Sequence, residues 1–261
     1  MQRENVVTFT TAEDYNNHWE GLRDFIAYNP GARHRRRMTL GLIEGLSFKN
    51  CLDVGCGTGE IMKPLVERHP DVAFTGSDYS DKTMTRNQEL FPSCRFVTLD
   101  IEKSHLDEQF DLVICCEVIE HLHDRKAAFK NFAAMLKPGS HLLITCPTGK
   151  IFATEKIFGH TTHPTHAELK EHARANGLVI RRYFNWGFPF YYLLKFLTNI
   201  NPEAAMKSFG SGSYCWPQKL VCNVLYAVNF LNLKLFPWGC QIFCLMQRPA
   251  EGAQQAVSDK R

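Results

Sequence analysis

Residues 52–59 read Leu52-Asp53-Val54-Gly55-Cys56-Gly57-Thr58-Gly59. A short apolar run, Cys51–Val54, leads into this stretch, and a helical pattern, Glu60–Arg68, leads out of it. Glycines between a strand and a helix allow a tight turn and a close approach of backbone to a ligand. The helix behind them offers unpaired N–H groups at its start. A dinucleotide-binding turn spaces its glycines G-x-G-x-x-G to cradle a pyrophosphate. Here Gly55, Gly57 and Gly59 follow G-x-G-x-G, with Asp53 two residues ahead of the first. That spacing disfavours a nicotinamide-dependent dehydrogenase.

Beyond this turn, apolar runs and helical patterns alternate. The runs lie at Val72–Thr75, Arg95–Leu99, Leu112–Cys116 and His141–Cys146, and the helical patterns at Asp81–Leu90 and Arg125–Leu136. A helix Ala167–Asn176, a sixth strand Leu178–Phe184 and a last strand Gln241–Gln247 follow. Such alternation predicts βαβ units: an α/β, doubly wound, mostly parallel sheet of seven strands with a helical insert before the last. One domain is expected over 1–261. It divides into an N-terminal helical cap (1–46), a core (47–186), an apolar insert (187–238), the last strand (239–248) and a loose tail (249–261). In the cap, residues 11–30 carry Tyr15, Trp19 and Phe25 and read as an amphipathic helix; Gly31–Arg37 is basic, either a solvated turn or a source of ligand contacts, and Met38–Leu46 reads as a second helix.

Composition is ordinary for a globular chain, with 44% apolar and 22% charged residues and a formal net charge of +3. That charge is too small to imply a nucleic-acid or membrane partner by itself. No signal peptide is read at the N-terminus, and no stretch reaches the roughly 20 clean apolar residues of a spanning helix. The ten cysteines form no C-x-x-C pair. They read as buried free thiols of a reducing compartment, so a cytoplasmic location is expected.

The spacing Asp53-x-Gly55-x-Gly57-x-Gly59 resembles motif I of the class I methyltransferases. In that family the loop, here with Cys56, wraps the methionine and ribose parts of S-adenosyl-L-methionine. Other matches stand in register over residues 35–185. Asp78, in Gly76-Ser77-Asp78-Tyr79-Ser80, would accept hydrogen bonds from ribose hydroxyls. Asp100 would meet the adenine amino group, and Ile101 would pack on the ring. Cys116 and Glu117, in Cys115-Cys116-Glu117-Val118-Ile119-Glu120-His121-Leu122, open a segment that runs beneath the cofactor. Leu136-Lys137-Pro138-Gly139 is the family's familiar turn. The chain is locally similar to ubiquinone-pathway O-methyltransferases, which hold the cofactor's carboxylate with an upstream arginine. In the run Arg33-His34-Arg35-Arg36-Arg37, the resemblance points to Arg37, with Arg36 next.

The reaction implied is an in-line methyl transfer to a small, aromatic or lipid-like acceptor, at oxygen, with N-methylation of a small molecule as the alternative. A hydroxyl acceptor needs a base, and histidine is the natural one near neutral pH. His160 and His163 stand before the helix at 167, and His121 follows the fourth strand. His166 is equally a helix-start residue. Glu117-x-x-Glu120-His121 also resembles the metal-binding E-x-x-E-H of small-RNA 2′-O-methyltransferases and some quinone-pathway enzymes. The same string is structural in many members, and the sequence reading assigns no metal. For the insert, a lid over a hydrophobic substrate leads, with a homodimer surface and a peripheral membrane contact as alternatives. RNA methylation is disfavoured by the modest charge and by the lack of an RNA-binding module.

Overall fold

A computed structural model describes residues 23–250 apart from 211 and 236. The expected helix over 11–30 is seen only in its last part, because Tyr15 and Trp19 lie outside the described residues, as does most of the expected tail. The visible chain begins with α1 (Arg23–Tyr28) and α2 (Pro30–Ile43). The expected basic turn is therefore helix. Asn29 caps α2 by accepting from the Ala32 amide at 2.9 Å, and Pro30 sits where its missing N–H costs nothing. His34, Met38 and Leu42, four apart, form its buried face.

Five strands then run parallel: β1 (Asn50–Val54), β2 (Ala73–Asp78), β3 (Arg95–Thr98), β4 (Phe110–Cys116) and β5 (Leu136–Pro147). Helices α3 (Met62–Arg68), α4 (Asp81–Leu90) and α5 (Arg125–Ala134) supply crossovers, and β3 passes to β4 by loop. After β5 come α6 (Ala153–Ile157), which the sequence did not suggest, and α7 (His166–Ala175). β6 (Val179–Phe188) follows, then the insert, then β8 (Gln241–Gln247), which runs antiparallel between β5 and β6.

Among the described residues the sheet has eight strands, not seven, in the order β3-β2-β1-β4-β5-β8-β6-β7. The extra strand, β7 (Leu233–Lys234), is a two-residue edge pair against Trp186 and Phe188, too short to show in an apolar run. Among the described residues the insert holds three helices: α8 (Phe190–Thr198), α9 (Pro202–Phe209) and α10 (Trp216–Val228), the last continuing into a 3₁₀ turn, Asn229–Leu231. Asn201-Pro202 separates the first two, for the asparagine caps a fresh helix whose first residue is proline.

Alternate residues of the central strands face opposite layers. Val54, Val113, Cys115 and Ile144 pack with Phe129 and Phe132 of α5. Cys51, Leu112, Ile114 and Leu143 pack with Met38 and Leu42 of α2 and Met62 of α3. The chain goes outward from β1 to β3, then returns to β4 on the other side. The strand order thus reverses between β1 and β4, and open sheets of this kind bind ligands at the carboxyl ends of strands at such a point.

Candidate active site

Over that reversal lies a cavity of about 940 Å³, at the upper end of the range for small-molecule sites. One end is formed by Gly55, Asp78, Tyr79, Asp100 and Ile101, the other by Glu117, Glu120, His121 and His160. At the first end the glycine turn is forced. Gly55 has φ of +70° and Gly57 of +51°, and a Cβ on Gly55 would stand 2.2 Å from Val118 Cγ2. The Gly57 amide donates to Asp78 Oδ2 and the Ser80 amide to Oδ1, both at 3.0 Å. A carboxylate has about four acceptor positions, so Asp78 is held in place with capacity left for hydroxyl donors in the cavity. Asp100 caps its own loop, accepting from the Glu102 amide at 3.1 Å and Lys103 Nζ at 2.7 Å. Ile101 is buried beside it. A polar carboxylate next to an apolar shelf suits a nucleoside: hydroxyls on Asp78, a flat ring against Ile101.

Asp53, Cys56, Gly57, Gly59 and Cys116 do not line the cavity. They shape the turn from behind. Burial, with Asp78 nearby, raises the Asp53 carboxyl to about 8, so it keeps its proton at neutral pH. Burial likewise raises the Cys56 thiol, which points at the Gly57 carbonyl. Gly59 leaves room for Phe91, which a Cβ would approach to 2.9 Å. Cys116 Sγ lies 3.9 Å from Thr39 Oγ1.

The arginine expectation needs correction. The Arg37 guanidinium stacks 4.4 Å over Phe230 and lies outside the cavity. Arg36 turns to the Ile26 carbonyl at 2.9 Å and to Glu60 at 3.6 Å. Arg35 is the one that lines the cavity, with Nε 3.2 Å from Glu117 Oε2. Residues two apart on a helix point roughly 200° apart, so reading a turn in place of α2 lost the phase. Burial opposes the charge of Arg35, yet Glu117 and Tyr191 beside it hold its pKa above the ordinary value.

Glu117 adopts φ of +59°, the one non-glycine with positive φ among the described residues. That conformation costs a side-chain-bearing residue about 1–2 kcal/mol and clusters at functional positions. Its Oε1 accepts from Thr145 Oγ1 at 2.9 Å and Gln241 Nε2 at 2.6 Å.

Three residues further on, Glu120 is fully buried, and among the described residues no neighbour donates to either carboxylate oxygen. His121 Nδ1 also lacks a partner among the described residues. Ligand atoms of Glu120, His121 and His160 lie within 4.8 Å of one another. His163 does not line the cavity but sets the state of His160. Its Nδ1 faces the Gly149 carbonyl at 3.2 Å and must donate, so its Nε2 accepts from His160 Nδ1 at 3.0 Å. His160 Nε2 is left with a free lone pair. Burial lowers His121 to about 4 and His160 to about 2, and nearby histidines add to the effect at His160. Both rings are therefore neutral.

A second cluster, Glu155-His160-His163, shares His160, but its carboxylate is occupied. Glu155 accepts from Lys195 Nζ at 2.5 Å and from the Phe152 amide at 2.8 Å. Glu155, Lys195 and Arg125 were not legible in the sequence as site residues. Arg125 pins the histidine loop, bonding the Thr162 carbonyl at 2.6 Å and Glu168 at 2.9 Å. The arginine directly after a capping aspartate, facing a loop closed by Thr165, carries no signal by spacing alone. His166 starts α7 and packs on Tyr183, as its helix-start reading implied.

Residues 52–142 match the family model described as a methyltransferase domain. The ubiquinone biosynthesis O-methyltransferase of Coxiella burnetii is 31% identical over 51% of this chain and 64% of its own. That of Marinobacter nauticus is 28% identical over 52% of this chain and 66% of its own. The chain thus spans a little under two thirds of these relatives. Among solved structures, the N-methyltransferase NodS of Bradyrhizobium japonicum with S-adenosyl-L-homocysteine superposes with a TM-score of 0.58 at 17% identity, covering 91% of this chain and 96% of that one. A phosphoethanolamine N-methyltransferase of Haemonchus contortus gives 0.60 at 16%, covering 95% and 61%. Residues 52–142 thus match a methyltransferase domain, and the chain has the class I, Rossmann-like methyltransferase fold.

Proposed function

We propose that the protein transfers a methyl group from S-adenosyl-L-methionine to a small, apolar or aromatic acceptor, at an oxygen. The observation that carries this reading is the continuity of one cavity from Asp78 and Ile101 to Glu120, His121 and His160. The cofactor supplies an activated methyl group. Asp78 would hold its sugar, Ile101 and Asp100 its base, and Gly55 would leave room for its backbone-hugging chain. Arg35, in place of the expected Arg37, would meet a carboxylate, trading part of its contact with Glu117. Rim residues Phe25, Leu194, Met206, Phe209 and Leu225 are apolar, which suits a lipid-like acceptor and excludes water from the transfer. This supports the lid reading of the insert.

The acceptor's proton needs a destination, and the low basicity of His160 makes it a weak free base. A divalent cation on Glu120, His121 and His160 fits better, because it uses the unpaired carboxylate and two neutral imidazoles at once. A bound cation would lower the acceptor's pKa. This departs from the expectation of no metal. Residues 33–37 bear on the RNA alternative: Arg33 lies 3.8 Å over Tyr226, and the other three arginines are engaged as described. They do not form a free strip for phosphates.

The test is calorimetric titration with S-adenosylmethionine and S-adenosylhomocysteine, followed by methyl release with phenol and amine acceptors, with and without a chelator. No affinity for either nucleoside would overturn the reading. Transfer to amines alone would overturn the oxygen assignment.

A further inference from the structure

The insert has a second apolar face, on the side away from the cavity. On α8, Leu194, Lys195 and Thr198 face the cavity, while Leu193, Phe196 and Leu197, with Ile200 just past its end, are exposed, each by half or more. Their spacing of i, i+3, i+4, i+7 is one helical stripe. On α10 and the turn after it, Leu220, Val224 and Leu231 make another. The start of α8 is tied to the end of the 3₁₀ turn where Asn232 Oδ1 accepts from the Phe190 and Tyr191 amides, at 2.8 and 3.1 Å. Trp216 is 76% exposed and Trp238 56%. So much apolar surface on one insert marks an interaction site.

Charge identifies the occupant. Between 187 and 238 the sequence holds Lys195, Lys207, Lys219 and Lys234 against the single acid Glu203. Lys195 is spent internally on Glu155, and Lys219 lies 3.6 Å from Asp24. Arg33 and Arg37 of α2 add two cations beside α10 and the 3₁₀ turn, over Tyr226 and Phe230. A second copy of this face would set like charges against each other, and interface cores are poor in lysine. An anionic bilayer surface accepts apolar stripes, flanking cations and interfacial tryptophans together. We infer that the outer face of α8, α10 and the turn at 229–231 docks onto an anionic lipid surface, without spanning it. No helix among the described residues is long and apolar enough to cross a membrane.

The test is co-sedimentation of the full chain with vesicles of phosphatidylcholine, alone or mixed with phosphatidylglycerol. The expected result is binding to the mixed vesicles that weakens with salt. Lys234→Ala should weaken it about fivefold, the worth of one cation near such a surface. Leu197→Glu with Leu220→Glu should abolish it while leaving the thermal melt unchanged. Should that pair unfold, quenching of tryptophan emission by bromine-labelled phosphatidylcholine, lost in Trp216→Phe with Trp238→Phe, reads the same contact. Absence of binding to either vesicle overturns the inference. So does sedimentation velocity showing a dimer that Leu197→Glu dissociates. Vesicle binding needs no methyl transfer, so failure here leaves the proposed activity untouched.

Discussion

At the scale of single residues, the site rests on side chains fixed by their neighbours before any ligand arrives. Asp78 shows this, since two backbone amides orient its carboxylate. Asp78→Ala should lower S-adenosylhomocysteine affinity by about 10- to 100-fold, the worth of hydrogen bonds to a charged acceptor; titration calorimetry reads it, and unchanged affinity would remove Asp78 from the site. The two arginines make a sharper comparison. Arg35→Ala should cost cofactor affinity, whereas Arg37→Ala should leave that affinity intact and cost about 1–2 kcal/mol of stability, through its contacts with Phe230 and with His34 Nδ1 at 3.2 Å. The sequence pointed to an arginine of this run, and Arg35 lines the cavity; motif spacing pointed to Asp78, Asp100 and Ile101, which line it too. It did not show which arginine, because helical phase decides that and the run looked like a turn. Nor did it show that Glu120 is the unpaired acid while Glu117 is engaged by three neighbours, since both sit in one string and only burial separates them.

At the scale of elements, strands with strong alternation were legible to within a few residues, because each must fill two layers at once. The helix α4 (Asp81–Leu90) and the strand β8 (Gln241–Gln247) have the bounds their patterns imply. The insert was less legible. Apolar residues there face both the cavity and the outside, so the periodicity that marks one buried face is blurred. What sets its position is polar. Asn232 joins the end of the 3₁₀ turn to the start of α8 through two amides, and its Nδ2 donates back to Asn229. Asn232→Ala should therefore destabilise the protein by about 1–3 kcal/mol, as buried amides lose their acceptor. Amide hydrogen exchange should rise first in residues 190–200. Equal protection in the variant would mean that packing of Tyr191 on Trp186, with ring centroids 4.9 Å apart, holds the helix alone.

At the scale of the whole molecule, buried titratable groups couple stability to pH in two opposing ways. Asp53, raised to about 8 by burial, and Glu120, raised by burial and then by Glu117, keep protons that the unfolded chain releases near pH 4. Their contribution is present at low pH and is lost as pH rises toward 8. His121 and His160, lowered to about 4 and about 2, act in reverse: what they contribute is present above about 6.5 and lost as pH falls below it. Above pH 6.5 only the carboxyls act, so the melting temperature of metal-free protein should fall between pH 6.5 and 8, and Asp53→Asn should flatten that fall in a calorimetric scan. A cation on Glu120 changes the sign at this one site, because it takes the place of the proton and binds more tightly as pH rises. Added Mg²⁺ or Zn²⁺ should thus raise the melting temperature more at pH 8 than at pH 6.5, and Glu120→Gln should erase the gain. A gain independent of pH, or one that survives Glu120→Gln, would place the ion elsewhere and return proton removal to His160 alone.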